Sequence, residues 1–262
     1  MNKKIVFFDI DGTLLDEHTG TIPESCKKAI ELAQNNGHIL IINTGRPVST
    51  IDTNITKINF DGYICGCGTY IKYKDKTIMH ATLDENIRKE VIEQIFKCNV
   101  QAVLEGEKGA FFSTNITDPY ILKFKATYNE QNLPTGEYDK NSIIEFDKMA
   151  VWYDDHSDIE TFRKFLSQYF DIIQIDTNFI EVVPLHYSKA TGIQYLIDYL
   201  GMDISQTISI GDSTNDLSML EYTQESVAMG NSNPILFDKV TYITTDIDKD
   251  GIYNALKHFK MI

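Results

Sequence analysis

Short apolar runs recur along this chain, and several pass directly into polar residues. Ile5-Val6-Phe7-Phe8 comes first and leads into Asp9-Ile10-Asp11-Gly12-Thr13-Leu14-Leu15-Asp16. An unbroken apolar run of that length predicts a strand covered on both faces. The period then changes. Cys26, Ala29, Ile30 and Ala33 recur at helical spacing behind Ile22-Pro23-Glu24, and Asn36-Gly37 follows as a left-handed stop. This predicts a helix with proline in its first turn. His38-Ile39-Leu40-Ile41-Ile42 is a second strand, ending in Asn43-Thr44-Gly45-Arg46-Pro47. Strand, helix and strand make a right-handed βαβ unit on a parallel sheet. A further helix is expected in the fifties and a third strand at Gly62-Tyr63-Ile64-Cys65. Tyr70 to Tyr73 then pairs with Thr77 to His80 as a hairpin.

From about Leu83 the texture changes. Asp84 to Lys97 is amphipathic, with Ile87, Val91, Ile95 and Cys98 on one face. A hairpin is expected over 99–113, turning around Gly106-Glu107-Lys108-Gly109, and a helix over 118–128. The stretches 143–153 and 172–183 are strand-like, and 158–170 reads as a helix with Ile159, Phe162, Phe165, Leu166 and Tyr169 inward. Without strict alternation this is an α+β module. Residues 83–184 are read as a domain inserted into a first one made of 1–82 and 185–262. In the latter the doubly wound pattern resumes. Ser188 caps a helix to Leu200 with Gly201 as its stop. Thr207-Ile208-Ser209-Ile210 leads into Gly211-Asp212-Ser213-Thr214-Asn215-Asp216, a helix runs through Leu217, Met219 and Leu220, and strands fall at 227–229 and 242–244. A helix through Ile252, Leu256 and Phe259 closes the chain. The expected class is α/β, a doubly wound parallel, Rossmann-like core with an inserted α+β cap domain.

Composition narrows the function. Of 262 residues, 42% are apolar and 24% charged, as in a soluble globular protein. A net charge of -14 offers no basic face for nucleic acid and disfavours anionic membranes. No apolar run approaches the length of a membrane span, and Met1-Asn2-Lys3-Lys4 leads straight into a strand, so no signal peptide is expected. Cys26, Cys65, Cys67 and Cys98 are too few for a disulfide framework. A cytoplasmic protein with reduced thiols is the expectation.

The polar residues after the strands carry the chemistry. In extended backbone Asp9 and Asp11 face the same way, and like charges that close are unfavourable without a cation or a proton. The pair is therefore either a solvated Asp-Gly turn or part of a site. Three strands end in Asp9/Asp11, in Thr44 with Arg46, and in Asp212/Asp216. An open parallel sheet binds ligands outside the carboxyl ends of its strands, so these residues should share one crevice. Four carboxylates there call for a cation, and an oxygen-only donor set suits Mg²⁺. Thr44 offers a hydroxyl and a backbone N–H at a helix N-terminus, and Lys189 a point charge at the start of its own helix. Together these groups suit phosphoryl transfer.

DIDGTLLD at 9–16, NTGR at 43–46, Lys189 within Ser188-Lys189-Ala190, and GDSTND at 211–216 resemble the motifs of the haloacid dehalogenase superfamily, specifically its Cof-type phosphatases with a large α/β cap. The resemblance covers the whole chain. It implies Asp9 as a nucleophile forming an aspartyl-phosphate, and Asp11 as the acid, then base, of the two half-reactions. It also implies Mg²⁺ on the side chain of Asp9, the backbone carbonyl of Asp11 and the side chain of Asp212, with Asp216 as a further ligand or a support to the ligands. Thr44, Gly45 and Lys189 would bind the phosphoryl group. Arg46 either reaches the substrate or braces its loop, Asn215 either ligates or positions Asp216, and Gly12 either meets the substrate or supports the loop. Relatives often carry Asn-Gly where this chain has Cys67-Gly68, which puts that asparagine's role in question here.

The reading is a Mg²⁺-dependent phosphatase of a small phosphorylated metabolite, a sugar phosphate or a nucleotide or coenzyme phosphate. A phosphomutase or phosphotransferase would use the same intermediate. A non-catalytic regulator binding a phosphorylated ligand is a further alternative, against which stands the presence of every required residue. Oligomeric state is not encoded in any pattern found.

Overall fold

The computed structural model describes residues 3–262; Met1 and Asn2, where the expected leader-free start begins, lie outside the described residues. The strands in chain order are β1 (Ile5–Phe8), β2 (Ile39–Asn43), β3 (Gly62–Cys65), β4 (Tyr70–Tyr73), β5 (Lys76–His80), β6 (Gln101–Gly106), β7 (Gly109–Ser113), β8 (Thr135–Tyr138), β9 (Lys148–Trp152), β10 (Phe170–Asp176), β11 (Phe179–Pro184), β12 (Thr207–Gly211), β13 (Glu225–Ala228) and β14 (Tyr242–Ile243). The helices are α1 (Glu24–Asn35), α2 (Thr53–Thr56), α3 (Glu85–Lys97), α4 (Pro119–Glu130), α5 (Ile159–Leu166), α6 (Lys189–Leu200), α7 (Leu217–Tyr222) and α8 (Gly251–His258). They form two units. One comprises the described residues up to Gly45, Thr53–Ile78 and Ser188–Ile262; the other comprises Arg46–Asp52 and Met79–Tyr187. The short segment Arg46–Asp52 groups with the second unit although it interrupts the first in sequence.

The first unit is built on a sheet of order β14-β13-β12-β1-β2-β3-β4-β5. β1 lies between β12 and β2, parallel to both, with Phe8 level with Ile210 and Ile42. All residues of β1, β2 and β12 are buried, as strands covered on both faces must be. α1 packs on α8, and α6 on α7. The equal register explains the site: strands that end level deliver Asp9, Thr44 and Asp212 to one edge. Pro23 occupies the cap position of α1 rather than its first turn.

The second unit is a sheet of order β10-β11-β9-β6-β7-β8, antiparallel except for the β7–β8 pair. Val91, Ile92 and Ile95 of α3 and Phe162 and Leu166 of α5 form one apolar core with the sheet. Ile121 of α4 joins Val103, Phe112 and Trp152 in another. The architecture is α/β with a separate α+β unit.

Three local expectations differ. The stretch 172–183 is two strands, β10 and β11, joined at Thr177-Asn178. The strand expected over 143–153 is confined to β9, because the carbonyl of Ile144 serves the Arg88 guanidinium instead of a ladder. The helix expected to reach residue 170 stops at Leu166, since Phe170 pairs with Pro184.

Candidate active site

β1 stops at Phe8, and the chain bends at Ile10, whose carbonyl accepts from the amides of Thr13, Leu14 and Leu15 at 3.3, 2.9 and 2.8 Å. Asp9 and Asp11 are therefore presented by a curled loop and not by the extended backbone expected. The curl separates their environments. Asp9 is 4% exposed, and its amide donates to Ile210 at 3.0 Å, while Asp11 is half-buried. Gly12 permits the curl with φ +75, and a Cβ there would lie 2.3 Å from Asp212 Oδ2. Asn231, which the sequence patterns did not single out, donates to the Gly12 carbonyl at 2.9 Å.

Lys189 is the first residue of α6. Its helix start is set by a capping box: Ser188 Oγ accepts from the Thr191 amide, and Thr191 Oγ1 accepts from the Ser188 amide; an N-cap serine of this kind is worth about 0.5–2 kcal/mol. Lys189 Nζ lies 2.6 Å from Asp9 Oδ1 and 2.5 Å from Asp216 Oδ1. Burial works to lower its pKa, but Asp216 and Asp9 outweigh that and hold the ammonium above its ordinary value.

Asp216 has both oxygens engaged. Oδ1 meets Lys189, and Oδ2 accepts from the amides of Asp212 and Ser213 at 3.0 and 3.1 Å. It staples the loop that presents Asp212, whose Oδ1 accepts from Thr13 Oγ1 at 3.1 Å. Asn215 Oδ1 accepts from Ser213 Oγ at 2.7 Å, which places Asn215 in the loop's own support. Carboxylate oxygens of Asp9, Asp212 and Asp216 all lie within 4.8 Å of one another, the one such potential metal-holding group among the described residues. The Asp11 carboxylate is not part of it.

Burial first, then Asp216, pushes Asp9 well above the usual carboxylate range, with Lys189 pulling the other way. Burial and Asp216 likewise push Asp212 up to about 7, against the Thr13 hydrogen bond. Three carboxylates share one ammonium, so a further divalent cation suits the donor set. The space left by the missing Cβ of Gly12 lies beside the Asp212 oxygens such a cation would use.

Thr44 is 1% exposed. Its amide donates to the Ile64 carbonyl at 2.9 Å, and its carbonyl accepts from the Cys67 amide at 3.1 Å. The amide expected to meet an anion is thus committed to the sheet, and no α-helix starts at this point; the first turn downstream is a 3₁₀ turn at Val48–Thr50. The hydroxyl is the Thr44 donor to consider. Gly45 follows, half-buried. Arg46, in the second unit, has Nη1 at 3.5 Å from Asp52 Oδ2. Cys67 has φ 54, a left-handed conformation that asparagine tolerates better than cysteine.

The sequence patterns also missed a second charged cluster, within the second unit. Lys148 is buried between Glu105, at 3.1 Å, and Glu181.

A family model described as haloacid dehalogenase-like hydrolase matches residues 6–256. The chain belongs to that family and is a hydrolase. It is 28% identical to the YkrA protein of Bacillus subtilis over 264 residues, with all of both chains covered. It is 25% identical to 5-amino-6-(5-phospho-D-ribitylamino)uracil phosphatase YcsE of the same organism, covering 98% of this chain and 95% of that one. Among solved structures, a subclass IIB sugar phosphatase of the superfamily superposes with a TM-score of 0.84 at 28% identity, covering 99% of this chain and 100% of the other. No helix among the described residues is long and apolar enough to cross a membrane.

Proposed function

We propose that this protein is a Mg²⁺-dependent phosphatase of small phosphorylated metabolites, acting through an aspartyl-phosphate on Asp9. The observation that carries the reading is the buried group Asp9, Asp212 and Asp216 around Lys189, at the carboxyl ends of β1 and β12. The carboxylates of Asp9 and Asp212 and the backbone carbonyl of Asp11 would hold Mg²⁺, with Asp216 keeping the loop in place. When bound, the cation offsets the negative charge of the carboxylates and of the phosphoryl oxygens.

Asp9 attacks phosphorus, and the bond to the leaving oxygen breaks as Asp11 donates its proton there. Asp11 then takes a proton from the water that attacks the Asp9 phosphate, releasing inorganic phosphate and restoring both carboxyl groups. Lys189, the Thr44 hydroxyl and Gly45 hold the phosphoryl oxygens throughout. The half-buried position of Asp11 supports this division of labour, since it can reach solvent protons while Asp9 stays dry. The second unit is assigned the role of a cap that reads the leaving group. Relatives named for a sugar phosphate and for a phosphorylated ribitylaminouracil support a sugar, nucleotide or coenzyme phosphate as substrate. Buried cysteine thiols support a reducing, cytoplasmic setting.

The test is steady-state phosphate release from a panel of such compounds with Mg²⁺. Turnover of at least one, abolished by Asp9→Asn, is expected. Turnover that survives Asp9→Asn refutes the mechanism.

A further inference from the structure

One buried side chain next to these groups has no part in the chemistry above. Asn43 ends β2, immediately before Thr44, and is fully buried. Its Nδ2 donates to the carbonyl oxygen of Lys189 at 3.1 Å and lies 3.6 Å from Met219 Sδ. Its Oδ1 has no hydrogen-bond partner. A carbonyl can only accept, so the amide has one sensible orientation; turned over, it would set oxygen against oxygen. Alanine in its place would bury no amide and orphan no oxygen, and a central strand favours apolar residues. As packing, the asparagine is a poor choice. Its donor is what the position gains.

The group it holds is the first residue of α6. On the side of β3 the helix start is gripped by close backbone approach: a Cβ on Gly68 would lie 2.4 Å from the Ser188 carbonyl oxygen, and one on Gly192 would lie 2.5 Å from Ile64 Cγ2. Asn43 supplies the tie to β2. The helix start is thus fixed against two strand ends, and from it the Lys189 side chain spans Asp9 and Asp216.

We propose that Asn43 is a positioning residue for Lys189. It locks the helix carrying Lys189 to the end of the strand that Thr44 follows, so both groups keep their register with Asp9 during phosphoryl transfer. This inference rests on the roles proposed for Lys189 and Thr44.

The test uses Asn43→Ala and the isosteric Asn43→Asp in the full chain. It measures kcat and KM for p-nitrophenyl phosphate with Mg²⁺, melting temperature, and binding of inorganic phosphate by titration calorimetry. Asn43→Ala is expected to lower kcat roughly 10- to 100-fold, as a displacement of about 1 Å does. KM should change far less, phosphate binding should weaken, and the melting temperature should hardly move, because an orphaned oxygen is removed with the bond. Asn43→Asp, which replaces the donor by a carboxylate oxygen facing a carbonyl, should lose at least as much activity. A kcat within two-fold of wild type in Asn43→Ala overturns the inference. So does a loss of activity that only tracks a lowered melting temperature. Lys189→Met separates the two levels: if it keeps wild-type turnover, the role of Lys189 is wrong; if it is inactive while Asn43→Ala is not, only the inference about Asn43 falls.

Discussion

Replacing Gly12 by alanine tests how closely the nucleophile loop and the Asp212 loop meet. Two penalties are expected at this position. The first is conformational: φ +75 places an L-residue in the left-handed region, at about 1–2 kcal/mol. The second is steric: the new Cβ would stand 2.3 Å from Asp212 Oδ2 and 2.7 Å from its Cγ. Relief requires the carboxylate to move and give up the Thr13 hydroxyl at 3.1 Å, a hydrogen bond to a charged group worth about 1.5–3 kcal/mol. Gly20 separates the two terms, because it has φ +65 with nothing within 4 Å of its Cβ position. In urea unfolding, Gly20→Ala should lose about 1–2 kcal/mol and keep full turnover. Gly12→Ala should lose about 2.5–5 kcal/mol. It should also need roughly 10-fold more Mg²⁺ for half-maximal turnover, since 1.4 kcal/mol of lost ligation is tenfold in affinity. Equal stability and equal Mg²⁺ dependence in the two variants would refute both the close approach and the role of Asp212.

Two further outcomes follow from the charges. The carboxyl groups of Asp9 and Asp212 are raised in the folded protein, Asp212 from 3.8 to about 7. Folding therefore takes up protons, and these groups weaken the metal-free fold progressively as pH rises through that window. A bound dication removes the penalty, so the melting temperature in Mg²⁺ minus that in EDTA should grow from pH 4 to pH 7; a difference that is flat or shrinks contradicts this. In the second unit, Lys148→Met leaves Glu105 and Glu181 buried without their cation and should cost about 3–5 kcal/mol in urea unfolding. Combining it with Glu105→Gln and Glu181→Gln should restore most of the loss, and a triple variant no more stable than the single one would count against the charge argument.

The elements legible in sequence were those with one dominant signal. The apolar runs of β1, β2 and β12 and the periodic faces of α1 and α3 were read within a residue or two, and so was the capped start of α6. The acidic motifs marked Asp9, Asp212 and Asp216 because carboxylates after a buried strand are conspicuous. What was hidden depended on partners remote in sequence. Asn43 looks like a routine strand end until Lys189 is placed beside it. Glu105, Lys148 and Glu181 look like solvent-facing positions of alternating strands, and only the assembled sheet shows them buried together. β8 was missed because Gly136 lowers its strand propensity, yet the missing side chain is what makes room for Phe111, whose Cδ1 lies 2.7 Å from the Cβ position. The Thr44 amide was misjudged for a similar reason: its sheet-end acceptor, Ile64, lies on a strand made twenty residues later.

The central placement of β1 also bears on how the chain is made. β1 is made before the other named strands, but one of its two neighbours, β12, follows ten of them. Thr13 and Asp212 stand 199 positions apart, and at about 5–20 residues per second a ribosome needs roughly 10–40 s to cover that distance. Throughout that interval Ile5–Phe8 has an open, wholly apolar edge, and for most of it Asp9 also lacks its helix-borne lysine, Lys189. Catalytic competence thus waits for the later part of synthesis, and the nascent chain carries an aggregation-prone strand edge until β12 has been made. A chain truncated before β12 should accordingly be both inactive and insoluble, whatever the state of its second unit.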